Sequence, residues 1–306
     1  MKAFCGPSTC HGASCNDVTM PTSRGPLRPI GPGEVHLQRF DPAPALAALV
    51  RHYWISHWDI PTGADHEQRI LAYPACNLVV ETGGMTPDPH ARLYGPVTGL
   101  SRKRLAGQGS GFGVLFQPAA GALLSDVPML ELADSSRPAA AIGFTAGPAI
   151  AGALETSPAA PPITEEDSNS EAPPSYLGVF EHWLASRLPD GVDDDGLLVN
   201  RIADEVEHDG GLLQVRVLAS RFGLGERALQ RLVHDRLGLT PKWLIQRRRL
   251  QEAAHLLSQG AGPDLARLAY ALGYADQAHF SRDFSAVTGM NPTQYLRQLG
   301  TAPTTR

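Results

Sequence analysis

The sequence has little cysteine and no long apolar run. Only four of its 306 residues are cysteine. No segment approaches the roughly 18 consecutive apolar residues that a membrane-spanning helix needs. The first 20 residues carry one lysine and no apolar core, unlike a secretory signal. We therefore expect a protein of the reducing cytoplasm with no membrane partner.

Motifs of common enzymes are also missing. The sequence has no Gly-x-Ser-x-Gly elbow, no His-Glu-x-x-His pair and no phosphate-binding loop. We expect no catalytic residues, no cofactor and no enzymatic activity. With 42% hydrophobic and 19% charged residues, the chain has the composition of a globular protein, which excludes wholesale disorder.

Charge and proline divide the chain unequally. Residues 1–210 hold 13 Lys and Arg against 25 Asp and Glu, a balance of −12. Residues 211–306 hold 13 against 6, a balance of +7. Of the 26 prolines, 22 lie in the first part. A basic, proline-poor third is typical of a helical nucleic-acid-binding domain joined to a module of different architecture.

The pattern along the chain predicts an α+β protein in five segments. Short apolar runs at 53–60, 78–81, 93–98 and 113–117 favour strands, and helices are expected at 42–51, 176–188 and 197–207. The predicted segments are a flexible tail (1–29), a β-rich sensor or interaction domain (30–150), a linker (151–175), a connecting helix (176–196) and a helical domain (197–299).

The helical domain contains an internal repeat. Leu218-Ala219 and Gly223 recur fifty residues later as Leu268-Ala269 and Gly273. Further on, the repeated residues are offset by 51, and they are Arg231/Arg282, Gly238/Gly289 and Pro241/Pro292. Each copy predicts a short helix, a glycine turn and a second helix, at 226–237 and at 277–288. This arrangement is a helix-turn-helix, whose second helix enters the DNA major groove.

Seven polar residues and one alanine occupy the outward faces of the two second helices. They are Arg227, Gln230, Arg231 and His234 in the first copy, and Gln277, Ala278, Ser281 and Arg282 in the second. Arg and Gln make bidentate contacts to guanine and adenine edges. A helix at 241–259, containing Arg247-Arg248-Arg249, is expected to hold the copies apart. The alternative is a helical bundle with a solvated, arginine-rich face.

Two motifs resemble the AraC/XylS transcription regulators. Residues 271–295, with the core Gly-Tyr-x-Asp-Gln-x-His-Phe-x-Arg-x-Phe, are similar to the C-terminal signature of that family. Leu229-Gln-Arg-Leu232 and Gly238-x-x-Pro241-Lys242 resemble its first helix-turn-helix. The resemblance implies a seven-helix domain with two recognition helices. It also implies, by motif position, that the base-facing residues are Arg227, Gln230, Arg231, Gln277, Ala278, Ser281 and Arg282, with Ala278 in apolar contact; the alternative for each is a phosphate contact or no contact. The implied partners are double-stranded DNA at an operator major groove, a small-molecule effector or protein at the N-terminal domain, and RNA polymerase.

The N-terminal domain offers weaker signals. Residues 71–81, 93–99 and 113–118 are similar to an uncharacterised domain found before AraC-type domains, which implies no ligand. Tyr53, Trp54, Trp58 and Phe116 predict either an aromatic pocket or, more simply, core packing. Cys76 is expected to be a small buried side chain.

A cysteine cluster near the N-terminus raises two alternatives. Cys5, Cys10, His11 and Cys15 offer zinc-ligand types, but their spacing suits a flexible tail better than a metal site, so we predict no metal. The rival function is a DNA-repair or modification enzyme of the Ada type that uses the helix-turn-helix for targeting. The Pro-Cys-His-Arg motif of such enzymes is absent.

Overall fold

A computed structural model describes residues 32–64, 66–70, 73–85, 89–156, 174–258 and 264–298. The strands in these ranges are β1 (Glu34–Phe40), β2 (Val50–Ile60), β3 (His66–Ile70), β4 (Asn77–Gly83), β5 (His90–Tyr94), β6 (Ser101–Leu105), β7 (Gly107–Phe116) and β8 (Ser136–Pro138). Six of them form an antiparallel sheet in the order β1-β2-β7-β4-β5-β8, and β3 pairs with β6 in a second, two-stranded sheet.

Helices follow the sheet and fill the C-terminal part. They are α1 (Ala120–Leu124), α2 (Met129–Leu132), α3 (Gly147–Thr156), α4 (Ser175–Arg187), α5 (Asp194–His208), α6 (Val215–Arg221), α7 (Glu226–Leu237), α8 (Pro241–Ser258), α9 (Leu265–Ala271), α10 (Gln277–Thr288) and α11 (Pro292–Gln298). The α+β class is therefore confirmed. In the described ranges, no helix has the length and apolarity needed to cross a membrane.

One face of the six-stranded sheet carries the N-terminal core, and α4 completes it. Phe180 of α4 is fully buried and lies edge-on to Tyr53 and Phe112 of the sheet, with ring centroids 5.8 and 6.2 Å apart. The Tyr53 hydroxyl donates to Glu181 Oε1 at 3.1 Å. The helix expected from the apolar face at 176–188 is present, and it packs as part of this core.

The alternative of an aromatic pocket is wrong, because the sheet separates its members. Tyr53 and Phe116 belong to the main core. Trp54 and Trp58 lie on the opposite face, since side chains alternate along β2. There the rings cover glycines of β7, so that a Cβ at Gly113 would lie 1.9 Å from Trp54 Cε2. Tyr53 and Phe116 fill a core as the simpler interpretation proposed.

Two further expectations need correction. The helix expected at 42–51 is a single 3₁₀ turn, Pro44–Leu46, and β2 already begins at Val50, which is fully buried opposite Phe116. The segment before β2 has too few residues to form a stable α-helix, since the pairing of β2 with β7 holds the chain extended from Val50 onward. The strand expected at 93–98 ends at Tyr94. Pro96 follows, and proline has no N–H with which to continue a ladder.

The helical domain has two cores, one for each copy of the repeat. Leu218, Leu229 and Val233 belong to the first, and Ala269, Phe280 and Phe284 belong to the second. The long helix α8 contributes to both, with Leu244 in the first core and Leu250 in the second. Seven helices, α5 to α11, make up this part of the described chain, as the resemblance implied.

Candidate nucleic-acid interface

The first helix-turn-helix consists of α6, a glycine turn and α7. Ala219 is 2% exposed, and its carbonyl accepts a hydrogen bond from Leu224 N at 2.9 Å, which closes the turn. Gly223 lies between them with φ +66°, a left-handed conformation that glycine adopts without a Cβ clash. The glycine turn is as the sequence predicted, and the small side chain of Ala219 lies under the crossing helix.

The second helix-turn-helix, α9 to α10, repeats this geometry. Tyr274 N donates to Ala269 O at 2.9 Å, the bond equivalent to that of the first unit, and Gly273 has φ +74°. Asp276 caps α10 by accepting a hydrogen bond from His279 N at 2.7 Å. The two units are therefore structural copies as well as sequence copies.

Each second helix buries one face and presents the other. Leu229 and Val233 of α7, and Phe280 and Phe284 of α10, are fully buried. The predicted interface residues lie on the outer faces. Seven are exposed, namely Arg227, Gln230, Arg231, His234, Gln277, Ala278 and Arg282, while Ser281 is half-buried. Ser281 also accepts a hydrogen bond at its carbonyl from Ser285 Oγ, 2.7 Å away. The residues thus have the accessibility that base contact needs.

The first unit forms an open concavity of about 610 Å³ beside α7. Its lining combines all four predicted residues of α7 with the first residue of α6, the residue before α8 and the first two residues of α8, namely Val215, Arg227, Gln230, Arg231, His234, Thr240, Pro241 and Lys242. Thr240 Oγ1 accepts a hydrogen bond from Trp243 N at 3.1 Å, so it caps α8. Exposed Lys242 lies on the first turn of α8, where the helix dipole favours an anion.

Thr240 and Lys242 are functional candidates that the sequence reasoning did not single out. Both lie in the segment Gly238-x-x-Pro241-Lys242, which carried the resemblance without being assigned a role. Pro241 is the signal that could have identified Lys242, because proline at the first helical position marks a helix start. Lys242 then lies at a helix N-terminus, where anions bind. A cation there, beside Arg227 and Arg231, suits a DNA phosphate.

The arginine run on α8 is not a solvated face, contrary to the alternative that the sequence left open. Arg247 and Arg248 are each 5% exposed. Arg248 Nε donates to Glu207 O at 2.7 Å, and Arg248 Nη1 donates to Glu252 Oε2 at 2.9 Å. The two side chains are part of the structure that supports the interface.

Helix α8 also orients the second recognition helix. Gln246 Nε2 donates to Asp283 Oδ2 of α10 at 2.5 Å, and His279 Nε2 lies 3.3 Å from the same oxygen. The Arg249 guanidinium stacks over the Tyr274 ring, 4.1 Å from Cζ to the centroid. The direction of α10 is thus set by polar contacts on its inner side, leaving its outer side free for DNA.

The described residues supply little for nucleophilic or metal chemistry. Burial raises the pKa of the Cys76 thiol to about 12, which keeps it protonated near neutral pH, and its complete burial is as predicted. In the part of the chain that the structure describes, no group of three or more His, Cys, Asp or Glu is placed to hold a metal ion. Cys5, Cys10, His11 and Cys15 lie outside the described residues.

Two family models match this chain. Residues 218–298 match the model described as "Helix-turn-helix domain". Residues 38–138 match the "Domain of unknown function (DUF6597)". The first match covers both helix-turn-helix units from Leu218 onward, and the second covers most of the six-stranded sheet.

Curated relatives match the C-terminal part. The HTH-type transcriptional activator RhaS of Escherichia fergusonii is 33% identical over 113 residues, which are 37% of this chain and 40% of that protein. RhaS of Escherichia coli O1:K1 is 34% identical over 95 residues, 31% of each. The chain thus spans less than half the length of these relatives.

Solved structures are similar as well. A probable AraC family transcriptional regulator from Rhodopseudomonas palustris CGA009 is 26% identical, covers 34% of this chain and 97% of its own, and has a TM-score of 0.31. ToxT from Vibrio cholerae O395 is 11% identical, covers 87% of this chain and 98% of its own, and has a TM-score of 0.39.

Proposed function

We propose that this chain is a regulator of the AraC/XylS type, with its helix-turn-helix domain at residues 218–298, and that it regulates transcription by binding specific DNA sequences. The observation that carries the proposal is the duplicated unit with two outward polar helix faces. In this proposal α7 and α10 enter major-groove segments of one operator. Because DNA is the ligand, the protein acts in the cytoplasm with the genome.

Each interface residue has a proposed role. Arg231 and Arg282, at equivalent positions of the repeat, read guanine edges, and Gln230 and Gln277 read adenine edges. Arg227, His234 and Ser281 contact bases or the adjacent backbone, and Ala278 contacts a thymine methyl group. Lys242 binds a phosphate at the start of α8 and fixes the register of the first unit.

Selection from a random pool of double-stranded DNA tests this function. The full chain is expected to enrich a defined sequence, and the selected site then serves for affinity measurements. Arg231→Ala and Arg282→Ala should each cost about 1–3 kcal/mol on that site and relax its sequence preference. Arg187→Ala, an exposed arginine at the end of α4, is the matched control and should bind like the wild type. No enrichment, or equal losses on selected and random DNA, would contradict base reading.

We further propose that the N-terminal domain controls DNA binding in response to a small molecule or protein. Direct packing supports this, since Asn200 of α5 donates to Ala48 O at 3.0 Å and accepts from Ala119 N at 2.9 Å. A thermal-shift screen of small molecules and a pull-down with the isolated chain as bait separate the two kinds of regulator.

RNA polymerase is the proposed partner at the promoter. Run-off transcription from the selected site, with and without the protein, tests this proposal.

A further inference from the structure

The C-terminal turns of the two recognition helices occupy equivalent positions of the repeat. Gly238 ends α7 and donates its N–H to His234 O, and Gly289 ends α10 and donates its N–H to Ser285 O. Both glycines are left-handed, with φ +67° and +75°. The turns lie 51 residues apart, the offset of the repeat itself. Both also contact the N-terminal domain.

The first turn packs backbone to backbone against α2. A Cβ placed on Gly238 would lie 2.3 Å from Met129 O and 2.9 Å from Leu130 N. Gly238 is itself buried. Backbone atoms of a helix cannot move aside as a flexible side chain can, so only glycine allows this approach. The first recognition helix is therefore held at its end by the N-terminal domain.

The second turn packs against β6 and the residue just before it. A Cβ on Gly289 would lie 2.6 Å from Arg102 Nη2 and 2.7 Å from Leu100 Cδ2. The Arg102 guanidinium thus lies at the carboxyl end of α10, where the helix dipole favours a cation. The next residue, Met290, has its sulfur 3.7 Å from Nη1 of Arg69, the register partner of Arg102 in the two-stranded sheet. Arg69 is 2% exposed, so this contact is a buried one.

A loop of the N-terminal domain connects the two contacts. Thr98 O accepts a hydrogen bond from Trp243 Nε1, at the start of α8, at 3.1 Å. Asp134 fixes Thr98 in turn, accepting from its N at 2.7 Å and from its Oγ1 at 2.5 Å. The loop therefore extends from near the first turn to Leu100 at the second turn, and the hydrogen bond between Thr98 and Trp243 attaches its middle to α8.

We infer that the N-terminal domain sets the distance and angle between the two recognition helices by holding the equivalent turn of each. Within the helical domain itself, the two units are connected through α8, which contributes residues to both cores. Two helices that read successive major-groove segments must be separated by about the length of one DNA turn, roughly 34 Å. Packed interfaces switch between discrete arrangements rather than bending gradually. A change in the position of α2 or of the segment Leu100–Arg102 would therefore change the separation of α7 and α10. Only this consequence for DNA rests on the proposed function.

Distances between spin labels on the two recognition helices test the inference without DNA. Labels are attached to Gln230→Cys and Ala278→Cys in a full chain whose Cys5, Cys10 and Cys15 are replaced by serine, and buried Cys76 is kept. The background chain is expected to give one narrow distance distribution. Gly238→Ala should shift or broaden it, because the new Cβ pushes α7 away from Met129. Gly223→Ala is the matched control, since Gly223 has the same left-handed backbone but nothing within 4 Å of its Cβ.

A second pair of variants covers the case in which Gly238→Ala does not fold. Arg102→Ala removes the side chain at the second turn and should broaden the distribution. Arg104→Ala, the next exposed arginine of β6, should leave it unchanged. The inference is overturned if folded Gly238→Ala and Arg102→Ala keep the background distribution, or if both controls broaden it equally. Failure to bind DNA with the distances intact would instead count against the proposed function.

Discussion

Arg51 of the N-terminal sheet and Glu207 of α5 form an ion pair with 3.1 Å between Nη2 and Oε1. The Glu207 side chain is 5% exposed and that of Arg51 is 22% exposed. Arg51 Nη1 also donates to the Tyr73 hydroxyl at 2.5 Å, and the Cζ atoms of Arg51 and Arg247 lie over the Tyr73 ring, 4.5 and 5.1 Å from its centroid. The N-terminal domain is thus joined to both α5 and α8.

Arg51→Ala should lower the free energy of unfolding by about 3 kcal/mol, because it leaves a buried carboxylate without this partner. Urea denaturation of the full chain measures the loss. Arg221→Ala is the control, since its ion pairs with Glu205 and Asp209 lie at the surface, where such pairs contribute little. Equal losses in the two variants would show that burial does not decide the contribution of the pair.

Substitutions of Arg248 and Lys242 should distinguish a residue that stabilises the fold from one that contacts DNA. Arg248→Ala is expected to destabilise the protein and leave the salt dependence of DNA binding unchanged, because its guanidinium contacts Glu207 and Glu252. Lys242→Ala should keep the melting temperature and reduce the log–log salt slope by about 0.9, the value for one phosphate contact. Thermal melting and binding titrations at several salt concentrations measure both. The opposite pattern would place Arg248 at the DNA and Lys242 away from it.

The helical domain could be predicted closely because its signals are local. Amphipathic spacing and turn residues gave the bounds of α7 and α10 as the structure has them. These features depend on contacts within a few residues, which the sequence displays directly. The repeat added a second copy of every signal, so each unit supported the interpretation of the other.

The sheet was predicted less well because its pairings are long-range. The first half of β7 contains Gly107, Gly109 and Gly111, which as a local pattern favour turns. The structure uses glycine along β7 because Trp58 and Trp54 lie across it, and a Cβ at Gly109 would meet Trp58 Cζ2 at 2.2 Å. The burial of Arg247 and Arg248 was missed for the same reason. Arg248 contacts Glu207 of α5 and Arg247 lies over the Tyr73 ring, both distant in sequence, and a run of three arginines alone is typical of a solvated surface.

A tight helix crossing should make Ala269 intolerant of larger side chains. Ala269 is 1% exposed beneath α10, so Ala269→Leu is expected to overpack the second core and cost about 1–3 kcal/mol of stability. Ala271→Leu, on the exposed side of the same helix, is the matched control and should be near neutral. Chemical denaturation of both variants measures the difference. A stable Ala269→Leu with impaired DNA binding would mean that this position faces DNA.

His52 should make the protein less stable in mild acid. Burial, followed by the charges of Arg39 and Arg51, lowers the pKa of His52 to about 3, against an ordinary value of 6.5. The unfolded chain therefore takes up a proton at this residue as the pH falls below 6.5, while the folded chain takes one up only near pH 3. Stability from this residue is complete above pH 6.5 and is lost progressively below it, by about 1–2 kcal/mol between pH 7 and pH 5. Urea denaturation at the two pH values should show a smaller loss in His52→Gln than in the wild type. His208→Gln, the same substitution at an exposed position on α5, is the control. An undiminished acid loss in His52→Gln would show that other groups carry the pH dependence.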